Sequence, residues 1–202
     1  MTSRALKTEV LKSGMSVGLF GGSFDPPHIG HLHVAQTAMK RLRLDRVWWL
    51  VSPQNPLKTH APADAARRIG AIEALAHQPR MVVSTIEERL GINRTIDLID
   101  HLTYHHPDVN FVWIMGSDNL GGFHRWERWR DLATAMPICV IARPGQAIKA
   151  RLSRTATFLR HARLHENQAH ILKKIKAPVW TYLTEPLHPV SSSALRAQGL
   201  RA

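Results

Sequence analysis

A single cysteine in 202 residues rules out an intrachain disulfide and gives no basis for a cysteine-rich metal site. That residue, Cys139, stands in the apolar run Ile138-Cys139-Val140-Ile141. There it reads as a buried structural thiol, which fits a reducing compartment. No apolar run approaches the roughly 18 residues of a membrane span. Residues 1–14 intersperse charges with apolar side chains and show no signal-peptide core, so a cytoplasmic location is the default expectation. Acidic residues are scarce: 15 against 27 lysines and arginines, for a net charge of +12. Nucleic acid, an acidic membrane surface and a polyphosphate substrate would each suit that charge, and so would a plain solvated surface. The charge forms no stripe, although residues 143–176 are distinctly basic. Two common phosphate signatures are missing. No glycine loop ends in Gly-Lys-Ser/Thr, and no Gly-x-Gly-x-x-Gly run follows a strand. Internal repeats and low-complexity linkers are absent as well.

What is present is ordinary globular material, 44% hydrophobic and 21% charged. A chain of this size buries roughly 70% of its unfolded surface and needs no staples. Short apolar runs at residues 17–20, 47–51, 81–84, 109–115, 138–142 and 179–183 read as strands. Between them, 28–43, 63–77, 95–105 and 126–135 read as helices, with a short terminal helix at 193–200. Residues 52–62 form a proline-rich loop, and 151–176 are partly helical. Alternating strands and helices predict an α/β fold, a Rossmann-like doubly wound parallel sheet. A single domain over 14–202 is expected, with a small helical C-terminal portion and a flexible tail over 1–13. The ligand crevice should lie at the carboxyl ends of the strands.

The most informative stretch is Gly21-Gly22-Ser23-Phe24-Asp25-Pro26-Pro27-His28-Ile29-Gly30-His31. A strand delivers the chain to two glycines, which permit a sharp turn and close approach to a ligand. Pro27 is placed to open a helix whose N-terminus offers N–H groups to an anion. His28 and His31, three apart, project from one face of its first turn and can hydrogen-bond phosphate oxygens. A histidine pair alone would equally suit capping; the order of glycines, prolines and histidines after a strand favours phosphate. Asp25 caps or shapes the same loop. Near the other end, Val190-Ser191-Ser192-Ser193-Ala194-Leu195-Arg196 offers hydroxyls and a forked guanidinium just before and within a helix. Alone, three serines are usually a polar cap.

The first stretch resembles the Gly-x-Phe-x-Pro-x-His-x-Gly-His pattern of the nucleotidyltransferase superfamily, with Gly22, Phe24, Pro26, His28, Gly30 and His31 in register. The second is similar to the Ile-Ser-Ser-Thr-x-Ile-Arg motif that closes the ATP site there, with mild departures at Val190, Ser193 and Leu195. Ile114-Met115-Gly116-Ser117-Asp118-Asn119-Leu120 looks like the Gly-x-Asp-x-Leu element of nicotinate-mononucleotide adenylyltransferases. Asn93-Arg94-Thr95-Ile96-Asp97 resembles that family's Thr-x-Asp segment, and Asn55-Pro56-Leu57-Lys58 its Asn-Pro-x-x-Lys loop.

The resemblance implies transfer of the adenylyl group of ATP to nicotinate mononucleotide, with His28, His31 and Arg196 stabilising charge. It implies that Gly21, Gly22, Ser23, Phe24, Gly30, Gly116, Asp118, Ser191 and Ser192 help to form the ATP site. On the acceptor side it implies Lys58 for the phosphate and donors around Asn93, Arg94 and Thr95 for the carboxylate. Trp126 would be an aromatic plate for the pyridine, and Asp118 would accept from ribose hydroxyls. Arg143 is counted with the nicotinate-mononucleotide-binding residues, although a surface charge would suit it equally. Mg²⁺ would arrive on ATP, with no metal ligand from the protein. Neither nucleic acid nor a membrane is expected as partner, and an oligomer is left open. Trp48, Trp49 and Trp113 read as core, Glu87-Glu88 as a solvated pair, and Asp97 as orienting its own loop. The rivals are the same fold acting on nicotinamide mononucleotide or phosphopantetheine, and a basic nucleotide- or nucleic-acid-binding module. Two complementary phosphate motifs argue against the last.

Overall fold

Six runs of four to seven largely apolar residues, and a two-residue edge run, pair into one sheet. The computed structural model describes residues 9–52, 64–145, 147–185 and 192–200. Lys58, Ser191 and the asparagine–proline loop therefore lie outside the described residues, as do residues 1–8.

The strands are β1 (Ser16–Gly22), β2 (Arg46–Val51), β3 (Met81–Ser84), β4 (Asn110–Gly116), β5 (Ile138–Ile141), β6 (Arg163–Leu164) and β7 (Trp180–Leu183). They lie in the order β3-β2-β1-β4-β5-β7-β6, and every pairing is parallel. The helices are α1 (Ile29–Arg41), α2 (Ala65–Leu75), α3 (Ile86–Leu90), α4 (Thr95–His105), α5 (Ser117–Gly122), α6 (Trp129–Ala135), α7 (Ala147–Arg151), α8 (Arg154–Phe158) and α9 (Ser192–Ala197). The doubly wound parallel sheet predicted from the pattern is the one observed.

Successive side chains along a strand point to opposite faces, so the sheet separates two cores. Phe111, Trp113 and Met115 of β4 join Leu98, Ile99 and Leu102 of α4 and Leu132 of α6. Val112 and Ile114 face the other way, toward Val34 and Ala38 of α1 and Ile72 of α2. Trp48, Trp49 and Trp113 are buried, in keeping with their strand positions. Cys139 is fully buried, and burial pushes its thiol well above the usual range. No described helix is long and apolar enough to cross a membrane.

Several boundaries differ from expectation for local reasons. The first helix starts at Ile29, with His28 in extended conformation as its N-cap, so Pro27 lies outside the helix. It ends at Arg41, because Arg43 turns into the left-handed region at φ 52°. The helix expected from 126 starts at Trp129. A 3₁₀ turn, Phe123–Arg125, precedes it, and Arg128 at φ 50° breaks the continuation. Within 151–176 the structure has short helices, a 3₁₀ segment at Glu166–Lys174 and the two-residue strand β6, too short to leave a periodic signal. The terminal helix runs Ser192–Ala197.

Ile114 of β4 is fully buried beside the crevice strands. Truncation to alanine is expected to destabilise the fold by about 2–5 kcal/mol, read as a lower urea midpoint with an unchanged m-value.

Candidate active site

The chain leaves β1 for α1 on one face of the sheet and leaves β4 for α5 and α6 on the other. The carboxyl ends of β1 and β4 therefore part, and a cleft of about 670 Å³ opens there. Both phosphate motifs reach it: Ser23 and His31 from the first, Ser192 and Arg196 from the second.

The turn after β1 is built by packing more than by glycine freedom. Neither Gly21 nor Gly22 has positive φ; the left-handed residue is Phe24, at φ 47°. The glycines are needed because rings crowd them. A Cβ on Gly21 would sit 2.7 Å from the Trp113 ring, and one on Gly22 would sit 2.9 Å from the Phe24 ring. Phe24 is itself buried, edge-on to His31 at a 5.2 Å centroid distance, and so fixes that imidazole from behind.

The two histidines form a reciprocal cap. His28 Nδ1 accepts from the Gly30 N–H at 3.1 Å, and His31 Nδ1 accepts from the His28 N–H at 3.3 Å. With both Nδ1 atoms accepting, each neutral ring carries its proton on Nε2. His28 Nε2 is buried with no hydrogen-bond partner among the described residues. Burial and the nearby Arg143 guanidinium lower the His28 pKa to about 4, against a smaller opposing pull from Asp118. His28 is therefore neutral at pH 7 and offers an N–H to an incoming acceptor atom. Gly30, expected at the phosphates, spends its N–H on this cap, and His28 is buried next to His31, which lines the cleft.

The C-terminal motif docks on the same turn. Ser192 Oγ donates to the Pro26 carbonyl at 3.0 Å, and the Arg196 guanidinium donates to the Asp25 carbonyl and to Ser193 Oγ. Residues 171 positions apart are thus in direct contact.

Gly116 ends β4, and Asp118 lies in the first turn of α5, just past the strand. A Cβ at Gly116 would fall 2.4 Å from Asp118 Oδ1 and 2.8 Å from Arg143 Nε, so only glycine leaves room for that pair. Arg143 Nε stands 3.4 Å from Asp118 Oδ1, and the arginine side chain is 14% exposed. Its guanidinium belongs to the cleft wall and is no surface charge.

The far end of the cleft carries Asn93, Arg94, Thr95 and Trp126. Arg94 bridges Asp97 at 2.6 Å and Glu127 at 3.0 Å, which ties the start of α4 to the tryptophan loop. Asp97 thus orients its own loop. Trp126 is half-buried, tilted on Phe123 at 5.1 Å and edge-on to Trp113 at 6.1 Å.

Two residues that bear on the cleft escaped the sequence reading. Arg68 of α2 is fully buried and donates to the carbonyls of Ser23 and Ser52, each at 2.9 Å. It joins the phosphate turn to the end of β2. Its signal was available: Arg68 lies four residues before the buried Ile72, on the apolar face of the helix. Glu87 is the other. Glu88 is exposed as expected, but the first turn of α3 buries Glu87 against the cleft, and burial pushes its carboxyl up to about 7. Adjacent residues on a helix point about 100° apart, so an acidic pair in sequence does not show which member turns inward. Among the described residues no three His, Cys, Asp or Glu side chains group as a metal cage.

The parallel sheet, with its two motifs meeting across the switch point, is that of a nucleotidyltransferase, and residues 19–198 match the cytidylyltransferase-like family model. Over 93% of its length the chain is 46% identical to a protein of Roseobacter denitrificans named probable nicotinate-nucleotide adenylyltransferase, covering 94% of that protein. It is 51% identical to the one so named from a Caulobacter species, over 91% of this chain and 98% of that one. The chain belongs to the nicotinate-nucleotide adenylyltransferase family. Its fold also matches the Plasmodium falciparum nicotinic acid mononucleotide adenylyltransferase solved with NaAD, at TM-score 0.68 and 18% identity, covering 91% of this chain and 83% of that one.

Arg68→Met removes the guanidinium that donates to the Ser23 and Ser52 carbonyls and so cuts the tie between the turn after β1 and the end of β2. It is expected to cost about 2–5 kcal/mol in urea unfolding and to raise the KM for ATP. For Glu87, the folded pKa of about 7 lies above the ordinary 4.5. Its contribution to stability is therefore complete below about 4.5 and is lost as pH rises through about 7. Glu87→Gln should match the parent in stability near pH 4.5 and exceed it at pH 8, measured by denaturant unfolding at both.

Proposed function

We propose that this chain transfers the adenylyl group of ATP to nicotinate mononucleotide, releasing pyrophosphate and forming nicotinate adenine dinucleotide, a step of NAD biosynthesis. The single observation that carries the reading is the meeting of the two phosphate motifs, with Ser192 and Arg196 bonded to the Pro26 and Asp25 carbonyls beside His28 and His31. Identity of 46–51% along nearly the whole chain to proteins of that name supports the acceptor.

The nucleophile is a phosphate oxygen of the mononucleotide, ionised at neutral pH because its second pKa is near 6, so no general base is needed. It attacks the α-phosphorus of MgATP in line; the P–O bond to the β-phosphate breaks and its electron pair leaves with pyrophosphate. The protein positions the reactants and stabilises the charge that spreads over the phosphoryl oxygens. His28, neutral with Nε2 protonated, and His31 donate to oxygens as that charge develops. Arg196 supplies a fixed positive charge next to them. The Mg²⁺ enters as part of the nucleotide and screens its phosphates. At the acceptor end Trp126 faces the pyridine ring, and donors around Asn93 to Thr95 meet its carboxylate. Lys58 is assigned to the mononucleotide phosphate and Ser191 to ATP, by resemblance alone. Arg143 completes the positive wall on the ATP side.

Pyrophosphate release is the direct test, with MgATP and, in turn, nicotinate mononucleotide, nicotinamide mononucleotide and phosphopantetheine. Preference for the nicotinate form is expected. Activity with another acceptor alone would retain the phosphate chemistry and refute the acceptor. Replacing His31 by alanine should lower kcat about 10²- to 10³-fold while the chain still folds, with at most the modest loss of stability that a missing helix cap brings; near-normal turnover would remove His31 from the mechanism.

A further inference from the structure

The three acidic side chains that line the cleft are not equivalent. Asp118 is paired with Arg143, and Glu127 with Arg94. The carboxyl of Glu87 makes no hydrogen bond or ion pair among the described residues, although it is nine-tenths buried. Its position is set by the backbone at both ends of α3. The Ile86 N–H donates to Ser84 Oγ at 3.3 Å, which holds the start of the helix to the end of β3. The Ile92 N–H donates to the Glu87 carbonyl at 2.8 Å, and the Gly91 N–H donates to the Glu88 carbonyl at 3.1 Å. The chain then runs directly into Asn93, Arg94 and Thr95. Glu87 is thereby anchored to the acceptor end of the cleft.

A carboxylate withdrawn from water and without a cationic partner is stabilised by neutral hydrogen-bond donors and destabilised by a second anion. Nicotinate mononucleotide carries a phosphate, a ring carboxylate and a pyridinium with no N–H. Its neutral donors are the two hydroxyls of its ribose. A vicinal diol presents two O–H groups to one carboxylate without adding charge, and hydrogen bonds to an ionised acceptor are the stronger kind.

We propose that the Glu87 carboxylate binds the ribose hydroxyls of the acceptor mononucleotide and so sets where its phosphate stands relative to ATP. The proposal rests on the nicotinate mononucleotide reading given above. The raised pKa of Glu87 is consistent with a carboxyl that lacks donors of its own, and two O–H donors draw it back to the ionised form. With the ribose held from the floor of the cleft, the ring is left to Trp126 and the phosphate to the positive side.

The experiment is steady-state kinetics on the full chain, comparing wild type with Glu87→Gln. The acceptors are nicotinate mononucleotide and its 2′-deoxy and 3′-deoxy analogues at saturating MgATP; ATP is then varied at saturating acceptor. The variant should raise the KM for nicotinate mononucleotide about tenfold or more and leave the KM for ATP within about twofold. The penalty that wild type shows on losing a hydroxyl should shrink toward none in the variant, because the group that read the hydroxyl is gone. Glu87→Ala should give the same pattern, and a melting temperature no lower than that of wild type at pH 8 shows that Glu87→Gln is folded. An undiminished hydroxyl penalty in a folded, active variant overturns the proposal, as does a rise in KM for ATP in place of the acceptor. A wild type that releases no pyrophosphate with nicotinate mononucleotide overturns the acceptor reading and this proposal together, an outcome distinct from either.

Discussion

The site depends on the parting of two parallel strands. β1 is hydrogen-bonded to β2 on one side and β4 on the other, and the chain leaving β1 and β4 goes to opposite faces of the sheet. Among the described residues no helix covers the gap between their carboxyl ends, and a cleft is left there. Everything around it either keeps that gap narrow or fills its walls with donors. Gly21 and Gly116 let the Trp113 ring and the Arg143–Asp118 pair come close to the strand ends. Arg68 holds the other side by gripping the carbonyls of Ser23 and Ser52 from below.

The electrostatics follow from the same confinement. Arg94, Arg125, Arg143 and Arg196 line a cleft destined for two phosphorylated substrates, within a chain of net charge +12. That balance steers anions inward and suits the negative charge of ATP and of the acceptor. Confinement also keeps His28 neutral, because burial and Arg143 act in the same direction. A neutral imidazole that already accepts at Nδ1 is a pre-oriented donor at Nε2. The carboxylates divide by environment as well: those on the rim are neutralised by arginine, and Glu87 on the floor is not.

Much of this is legible in the sequence. The apolar runs and helical periods specify the parallel α/β sheet because burial on both faces demands continuous hydrophobic strands. The His28–His31 and Ser192–Arg196 segments stood out because each pairs polar side chains with a turn or helix start. Other parts were hidden for physical reasons. Phe24, not a glycine, takes the left-handed turn, because ring packing on all sides over-determines its backbone. Trp126 is not helical, since the helix start at Trp129 is decided by Arg128 and by contacts across the chain. Glu87 and Glu88 look equivalent in sequence, yet one faces the cleft and the other water.

By itself the sequence determined the elements, their two-sided burial and the residue types at each motif, because these depend on side-chain period and local backbone preference. Which residues share a site was decided only by the tertiary structure. The bond from Arg196 to Asp25, the clamp of Arg68 and the inward turn of Glu87 join positions far apart in the chain or alike in composition. Burial and electric field at a point are properties of everything packed around it, and no local stretch of sequence contains them.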